Sequence, residues 1–176
     1  MFGGSGQVGR PLVARLRAEG WRVHALSRSP QVDAPGLHWL QGDFASMPAV
    51  PQDVDAIFSC GPLDLFARWY ADSDIAAPRV VAFGSTSASS KHASDDEGER
   101  DVARRLHAAE AALFEASGRR GAGATMLRPT LVYGVGRDAT LTRIAGMARR
   151  WGRFVLPRRA DGLPQPVQVQ GPADAA

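Results

Sequence analysis

Four glycines within the first nine residues, Gly3, Gly4, Gly6 and Gly9, carry the strongest chemical signal in this sequence. Gly4-Ser5-Gly6-Gln7-Val8-Gly9 satisfies G-x-G-x-x-G, and Gly3, Gly6 and Gly9 also satisfy G-x-x-G-x-x-G. A turn of this kind between a buried strand and a helix lets backbone N–H groups approach a pyrophosphate. Its last glycine lets the helix pack closely on the sheet. About twenty residues on, where a dinucleotide-binding unit reads the adenosine ribose, stand Ser27 and Arg28. A guanidinium with no carboxylate beside it favours the 2′-phosphate of NADP(H) over the 2′-hydroxyl of NAD(H). The competing reading is an arginine at an exposed strand end. The glycine run lacks the G-K-[ST] ending of a P-loop, which weakens assignment to another nucleotide.

These residues need a scaffold, and the hydrophobic pattern supplies one. Val8, Leu12, Val13 and Leu16 recur at helical spacing from Gln7 to Glu19, and Gly20 ends that helix. "WRVHALS", "LHWLQ" (37–41), "VDAIFS" (54–59), the nearly all-apolar "RVVAFG" (79–84) and "GATMLRP" (123–129) read as strands. Ser94 with Glu97 resembles a capping box, opening a helix traced by Val102, Leu106, Ala109 and Leu113 to about Ser117. Thr140 to Trp151 reads as another helix and "RFVLP" as a last short strand. Strands alternating with helices predict an α/β, Rossmann-type doubly wound fold with a mainly parallel sheet and helices on both faces. Residues 1–157 would form this dinucleotide-binding domain, with 158–176 a proline- and glycine-rich, weakly ordered tail.

The chain of 176 residues is 44% hydrophobic and 22% charged, the composition of one globular domain. No stretch is apolar enough to span a membrane and no signal-peptide pattern opens the chain, which reads as cytoplasmic. The single cysteine, Cys60, excludes an internal disulfide and a cysteine-built zinc site. His24, His38 and His107 follow no ligand spacing, so no metal is expected. The net charge is +3, and the one dense basic group, Arg149, Arg150, Arg153, Arg158 and Arg159, reads as a solvated helix end and loop rather than a nucleic-acid surface.

"GGSGQVG", "SR" after the second strand, "GDF" (42–44), "VVAFGSTS" (80–87) and "LRPTLVYGVG" (127–136) occur in the order found in the extended or atypical short-chain dehydrogenase/reductase superfamily, near the NAD-dependent epimerase/dehydratase group. The chain resembles that family from residue 1 to about 157. The resemblance implies that Asp43 contacts the adenine, that Cys60, Gly61 and Pro62 border the cofactor, and that Pro129 to Tyr133 flank the nicotinamide. A plain turn residue at Asp43, a small buried side chain at Cys60 and a structural Tyr133 are the competing readings.

Redox members of the family resemble one another in a Tyr-x-x-x-Lys pair, in which the lysine lowers the tyrosine pKa. Here the residues four beyond Tyr70 and Tyr133 are Asp74 and Arg137, and alignment through Glu110 places Val102 and Leu106 at the tyrosine and lysine positions, both expected on the core face. Ser85 or Thr86 remains to orient a substrate oxygen, with Lys91 or His92 as a proton donor. Two functions follow: an NADP(H)-dependent oxidoreductase or sugar-nucleotide epimerase/dehydratase-like enzyme, or a catalytically silent module that senses NADP(H) or binds a partner. Only Met1 and Phe2 stand where a five-residue buried strand should precede the glycines. "LPQPVQVQGPADAA" likewise stands where relatives build a substrate lobe. The sequence therefore reads as one with its first strand largely missing and its substrate lobe truncated, with Met1 an internal methionine or the chain a fragment.

Overall fold

The computed structural model describes residues 1–92, 94–130, 132–133, 146, 149–150, 167–168, 171–172 and 175–176. In chain order the elements are α1 (Gly9–Ala18), β1 (Val23–Ser27), β2 (Leu37–Gln41), β3 (Ile57–Ser59), α2 (Leu63–Asp72), β4 (Arg79–Phe83), α3 (Ser87–Ser90), α4 (Glu97–Arg119), β5 (Gly123–Leu127), β6 (Val132–Tyr133) and β7 (Val167–Gln168).

Every strand pair among them is parallel: β1 with β2, β3 with β4, β4 with β5, and β6 with β7. Met1 and Phe2 join the first pair to the β3–β4–β5 sheet. Leu26 N–H donates to Met1 O at 2.9 Å, while Phe2 N–H donates to Phe58 O at 2.8 Å and Cys60 N–H to Phe2 O at 2.9 Å. The spatial order is thus β2, β1, Met1–Phe2, β3, β4, β5, and the carboxyl ends of all these strands lie along one edge. This is the arrangement of a doubly wound α/β fold.

Side-chain alternation along the strands feeds two cores, one on each face. On one face Leu12, Val13 and Leu16 of α1 pack with Val23, Ala25, Leu37, Phe58 and Phe83. On the other, α2 and α4 cover Leu26, Ile57, Val80 and Ala82. Phe2 enters this second core 5% exposed, its ring centroid 5.3 Å from those of Phe44 and Phe66 and 4.5 Å from that of Trp69. One aromatic residue therefore plugs the middle of the sheet.

The five expected strands form, though "VDAIFS" contributes only Ile57–Ser59. The helical pattern of α1 also holds. The capping expectation at Ser94 is corrected. Asp96 caps α4, its carboxylate accepting from Glu99 N–H at 3.1 Å, while Ser94 Oγ donates to Glu99 Oε2 at 2.7 Å. The shorter, charged Asp96 side chain serves the first turn better than a hydroxyl two residues upstream already held by Glu99. A further helix, α2, whose short apolar pattern gives no clear sequence signal, follows the Gly61-Pro62 turn. Its Leu63, Phe66, Ala67 and Tyr70 line one buried face, and Arg120 ties down its far end by donating to the carbonyls of Tyr70 (2.6 Å) and Ser73. The helix expected at Thr140–Trp151, the strand at 153–157 and the tail lie largely outside the described residues.

Candidate functional site: a glycine loop at the carboxyl edge of the sheet

The glycine run turns directly out of the Met1–Phe2 segment. Gly6 N–H donates to Gly3 O at 3.0 Å and Arg10 N–H to Gly6 O at 3.1 Å, winding the loop into α1. Gly3 has φ +69°, and a Cβ there would stand 2.7 Å from the Cys60 carbonyl carbon and 2.8 Å from Gly61 N. At Gly9 a Cβ would lie 2.1 Å from Gly3 O and 2.7 Å from Gly4 Cα. Both positions are closed to any side chain, so the loop presses against the end of β3 and α1 presses against the loop. The cap position of α1, Val8, offers no side-chain acceptor, and the first turn carries no acidic residue. The partial positive charge of that helix end is left facing the loop without a carboxylate to offset it.

The neighbouring strand ends bring the other expected residues to the same edge. Arg28 is exposed directly after β1, whereas Ser27 is buried and its hydroxyl donates to Ser29 O at 2.8 Å. Gly42 N–H donates to Ser27 O at 3.0 Å, drawing the "GDF" turn beside Arg28. Asp43 holds that turn: its Oδ1 accepts from Ala45 N–H (2.9 Å) and Ser46 N–H (2.8 Å), the hydrogen bonds of a turn residue. Cys60 flanks the glycine loop, and burial pushes its thiol up to about 12, away from thiolate character. Gly61 lies between Gly3 and the Phe44 ring, and Pro62 opens α2 as its cap residue.

Ser85 and Thr86 follow β4 at the same edge. Thr86 N–H donates to Pro129 O at 3.4 Å, joining this segment to the one after β5. Ser85 Oγ accepts from Ser87 N–H at 3.2 Å and so shapes the start of α3. Of the two candidate proton donors, Lys91 Nζ donates to Glu99 Oε1 at 2.8 Å, and the His92 ring lies edge-on to His107 with centroids 6.2 Å apart. The lysine charge and the Ser94 hydroxyl hold the Glu99 carboxyl below the usual carboxylate range. Val102 and Leu106 are half-buried; Leu106 packs against the core as expected, Val102 does not, and Ala103 and Ala109 are the fully buried residues on this part of α4. Tyr70 lies in the core, 0% exposed, stacked on Phe66 with the Arg120 guanidinium 4.3 Å from its ring centre. Tyr133 contributes backbone to β6, and its side chain lies outside the described residues.

Glu110, an alignment mark in the sequence, has a partner in the structure. Its side chain is 5% exposed and accepts from Arg128 Nε at 2.8 Å and from Arg128 Nη2, a two-pronged pair that holds the guanidinium pKa above its usual value. Glu110 Oε1 approaches to 3.0 Å of where a Gly84 Cβ would be. Gly84 is therefore the residue that lets α4 close on the strand end just before Ser85, and Arg128 locks β5 to it. The signal was available in "LRP" and in an isolated glutamate on an otherwise apolar helix stripe. Among the described residues no helix is long and apolar enough to cross a membrane, and no cluster of three His, Cys, Asp or Glu could hold a metal.

Residues 1–75 match the family model described as the NAD dependent epimerase/dehydratase family. No curated protein matches the chain in sequence. Among solved structures, MoeE5 in complex with UDP-glucuronic acid and NAD is 20% identical with a TM-score of 0.73, the match covering 99% of this chain and 69% of that one. The UDP-N-acetylglucosamine 4-epimerase of Bacillus cereus is 17% identical with a TM-score of 0.71, covering 99% and 70%. The human epimerase family protein SDR39U1 (isoform 2) with NADPH is 14% identical with a TM-score of 0.61, covering 96% and 65%. Parallel strands in doubly wound order, a glycine turn at their carboxyl edge and these matches agree: residues 1–75 resemble the NAD dependent epimerase/dehydratase family in sequence, and the chain shares the Rossmann-type fold of these solved structures.

Proposed function

We propose that this protein binds NADP(H) across the carboxyl edge of the sheet, with the pyrophosphate on the Gly3–Gly9 loop and the adenosine 2′-phosphate at Arg28. The observation that carries the reading is the cradle at Gly3 and Gly9, where backbone packs too closely for any Cβ beside a helix end free of acidic residues. Main chain packed this closely at a helix end without a carboxylate suits a pyrophosphate, which backbone N–H groups at such a terminus can receive. Arg28 adds a cation at the strand end where the 2′ position of the ribose falls, and no carboxylate follows β1 in the sequence until Asp33.

The bound dinucleotide would supply hydride exchange at its nicotinamide. This chain's residues would do the rest. Ser85 and Thr86, held to Pro129 at the ends of β4 and β5, would orient a substrate carbonyl or hydroxyl, as in an oxidoreductase or a sugar-nucleotide epimerase/dehydratase. A second reading, a silent module that binds NADP(H) without turnover, is favoured by two observations: the Lys91 ammonium is engaged by Glu99, and the Tyr70 hydroxyl is sealed in the core.

Calorimetric titration separates these readings. NADPH is expected to bind tighter than NADH, and Arg28→Ala is expected to weaken NADPH by about ten- to a hundredfold, the loss of one or two charge-assisted hydrogen bonds. NADH should change by less than about twofold, the arginine having no phosphate to meet there. Tighter NADH binding in the unaltered chain overturns the Arg28 assignment. NADPH consumption with a panel of carbonyls and sugar nucleotides, abolished in Ser85→Ala/Thr86→Val, supports the enzyme. Binding without turnover across the panel supports the silent module.

A further inference from the structure

Arg10, in the first turn of α1, takes no part in the buried stripe of Leu12, Val13 and Leu16 and is exposed. Its Nε donates to Ser5 O at 3.1 Å. Side chains on a helix lean toward its amino terminus, so this arginine reaches back over the glycine loop, and the bond to Ser5 pins it there. That bond uses one N–H of the guanidinium and leaves both terminal nitrogens to donate elsewhere. Among the described residues the ion pairs of Glu19, Glu99, Asp101, Glu110 and Glu115 go to other cations, and no carboxylate is paired with Arg10 or Arg28.

The far end of α1 shows which way this face of the helix looks. Arg17 lies two helical turns beyond Arg10 and so shares its face. Arg17 Nε donates to Pro35 O at 3.0 Å, in the connection between β1 and β2 that opens at Arg28. The face is therefore turned to the β1–β2 side of the sheet, with Arg10 roughly 10 Å nearer the carboxyl edge than Arg17. The glycine loop fixes the same side independently: a Cβ on Gly4 would meet Ala25 Cβ at 3.0 Å and the Trp39 ring at 3.4 Å, which lays the loop over β1 and β2. Arg28 leaves β1 about 10 Å further along the strand than Ala25. The two guanidiniums thus come to one stretch of the edge, one from the helix and one from the strand end. The carboxylates nearest in sequence to Arg28 are spent on other groups: Asp33 accepts from His38 Nδ1 (2.6 Å) and Trp39 N–H (2.7 Å), and Asp43 from Ala45 and Ser46 N–H.

We propose that Arg10 is a second specificity-determining cation of the site, and that Arg10 and Arg28 bracket the adenosine 2′-phosphate of NADP(H) between them. The inference rests on the dinucleotide reading above and adds to it a residue on α1, which the spacing from the glycines to the strand end does not reach. A phosphate set between two guanidiniums takes charge-assisted hydrogen bonds from each, whereas the 2′-hydroxyl of NAD(H) offers neither of them an anion. The tether to Ser5 O holds the Arg10 side chain in place before any ligand arrives, so less rotamer freedom is lost on binding.

NADPH and NADH differ only in the 2′-phosphate, so the ratio of their dissociation constants, measured by calorimetry on the whole chain, reads this contact alone. Arg10→Gln is the informative variant, because the glutamine amide nitrogen occupies the bond position of the arginine Nε and keeps a donor for Ser5 O while the charge is removed. It is expected to weaken NADPH by about tenfold, the loss of one charge-assisted hydrogen bond, and NADH by less than about twofold. Arg17→Gln, which removes the same charge from the same helix face two turns away, should leave both ligands within about twofold, as the difference lies in contact rather than in the general field. Combining Arg10→Gln with Arg28→Ala should bring the ratio near one. Equal weakening of NADPH and NADH by Arg10→Gln assigns the residue to the pyrophosphate or to the shape of the loop and overturns the proposal, as does an equal effect of Arg17→Gln. Preference for NADPH that Arg28→Ala abolishes and Arg10→Gln leaves intact overturns it too, while the Arg28 reading stands. No preference for NADPH in the unaltered chain overturns both.

Discussion

Replacing Gly9 by alanine adds one methyl group at the tightest point of the molecule. Three backbone atoms would lie within 3.0 Å of it, the nearest, Gly3 O, at 2.1 Å, whereas ordinary van der Waals contact begins near 3.4 Å. Relief requires α1 and the glycine loop to part by about 1.3 Å, the difference between those two distances. No flexible side chain can give way, since all three atoms are main chain. Overpacking of this kind costs about 1–3 kcal/mol, and a backbone-only clash belongs at the upper end. At roughly 2–4 °C per kcal/mol for a domain of this size, the melting temperature should fall by about 6–12 °C. The displaced loop should also lose its fit to a pyrophosphate. Thermal denaturation read by circular dichroism, with titration of NADPH, measures both effects. Gly118→Ala is the matched control: nothing lies within 4 Å of that position near the end of α4, and the exchange should stabilise by about 0.5 kcal/mol through helix propensity. Gly9→Ala with an unchanged melt and unchanged NADPH affinity would refute the close-packing argument.

Two further outcomes test other parts of the structure. Glu110→Gln leaves the shape of the Arg128 pair but removes its charge. A lower midpoint in urea denaturation is expected, less than for a fully buried pair because Arg128 is 45% exposed, and an unchanged midpoint counts against a locking role for the pair. Cys60, with its thiol raised to about 12, should react with a thiol reagent at pH 8 roughly a thousandfold more slowly than an ordinary cysteine and at the ordinary rate in denaturant; prompt labelling of the folded chain would contradict the raised thiol.

The strands and the glycine turn were legible because their signals are local. Alternation marked "LHWLQ", whose bounds match β2, and glycine spacing marked the turn, which packs against Cys60. Helix α2 was not legible, because its apolar face of Leu63, Phe66, Ala67 and Tyr70 is short and opens on Gly61-Pro62, a pair that reads as punctuation. Its stability comes from Phe2, whose ring packs on Trp69, and from α4, contacts that no local window contains. The same limit applies to Asp43 and Ser27. Their types suit a ligand, yet their hydrogen bonds to Ala45, Ser46 and Ser29 are set by turn geometry that spacing does not reveal. Glu110 and Arg128, eighteen residues apart, meet only once α4 and β5 are docked.

Phe2 joins two half-sheets, and this gives the molecule a seam. On one side hang β1 and β2 with α1, on the other β3, β4 and β5 with α2 and α4. Main-chain bonds of Met1 and Phe2 join them, both cores run across the join, with α1 on Phe58 and Phe83 and Leu26 beneath α2 and α4, and the glycine loop springs from it. Any ligand that grips the loop while touching Arg28 on one half and Gly61 on the other acts as a rivet across that seam. Its binding free energy then resists the parting of the halves as well as the unfolding of either, so the protein's mechanical coherence becomes a function of ligand concentration.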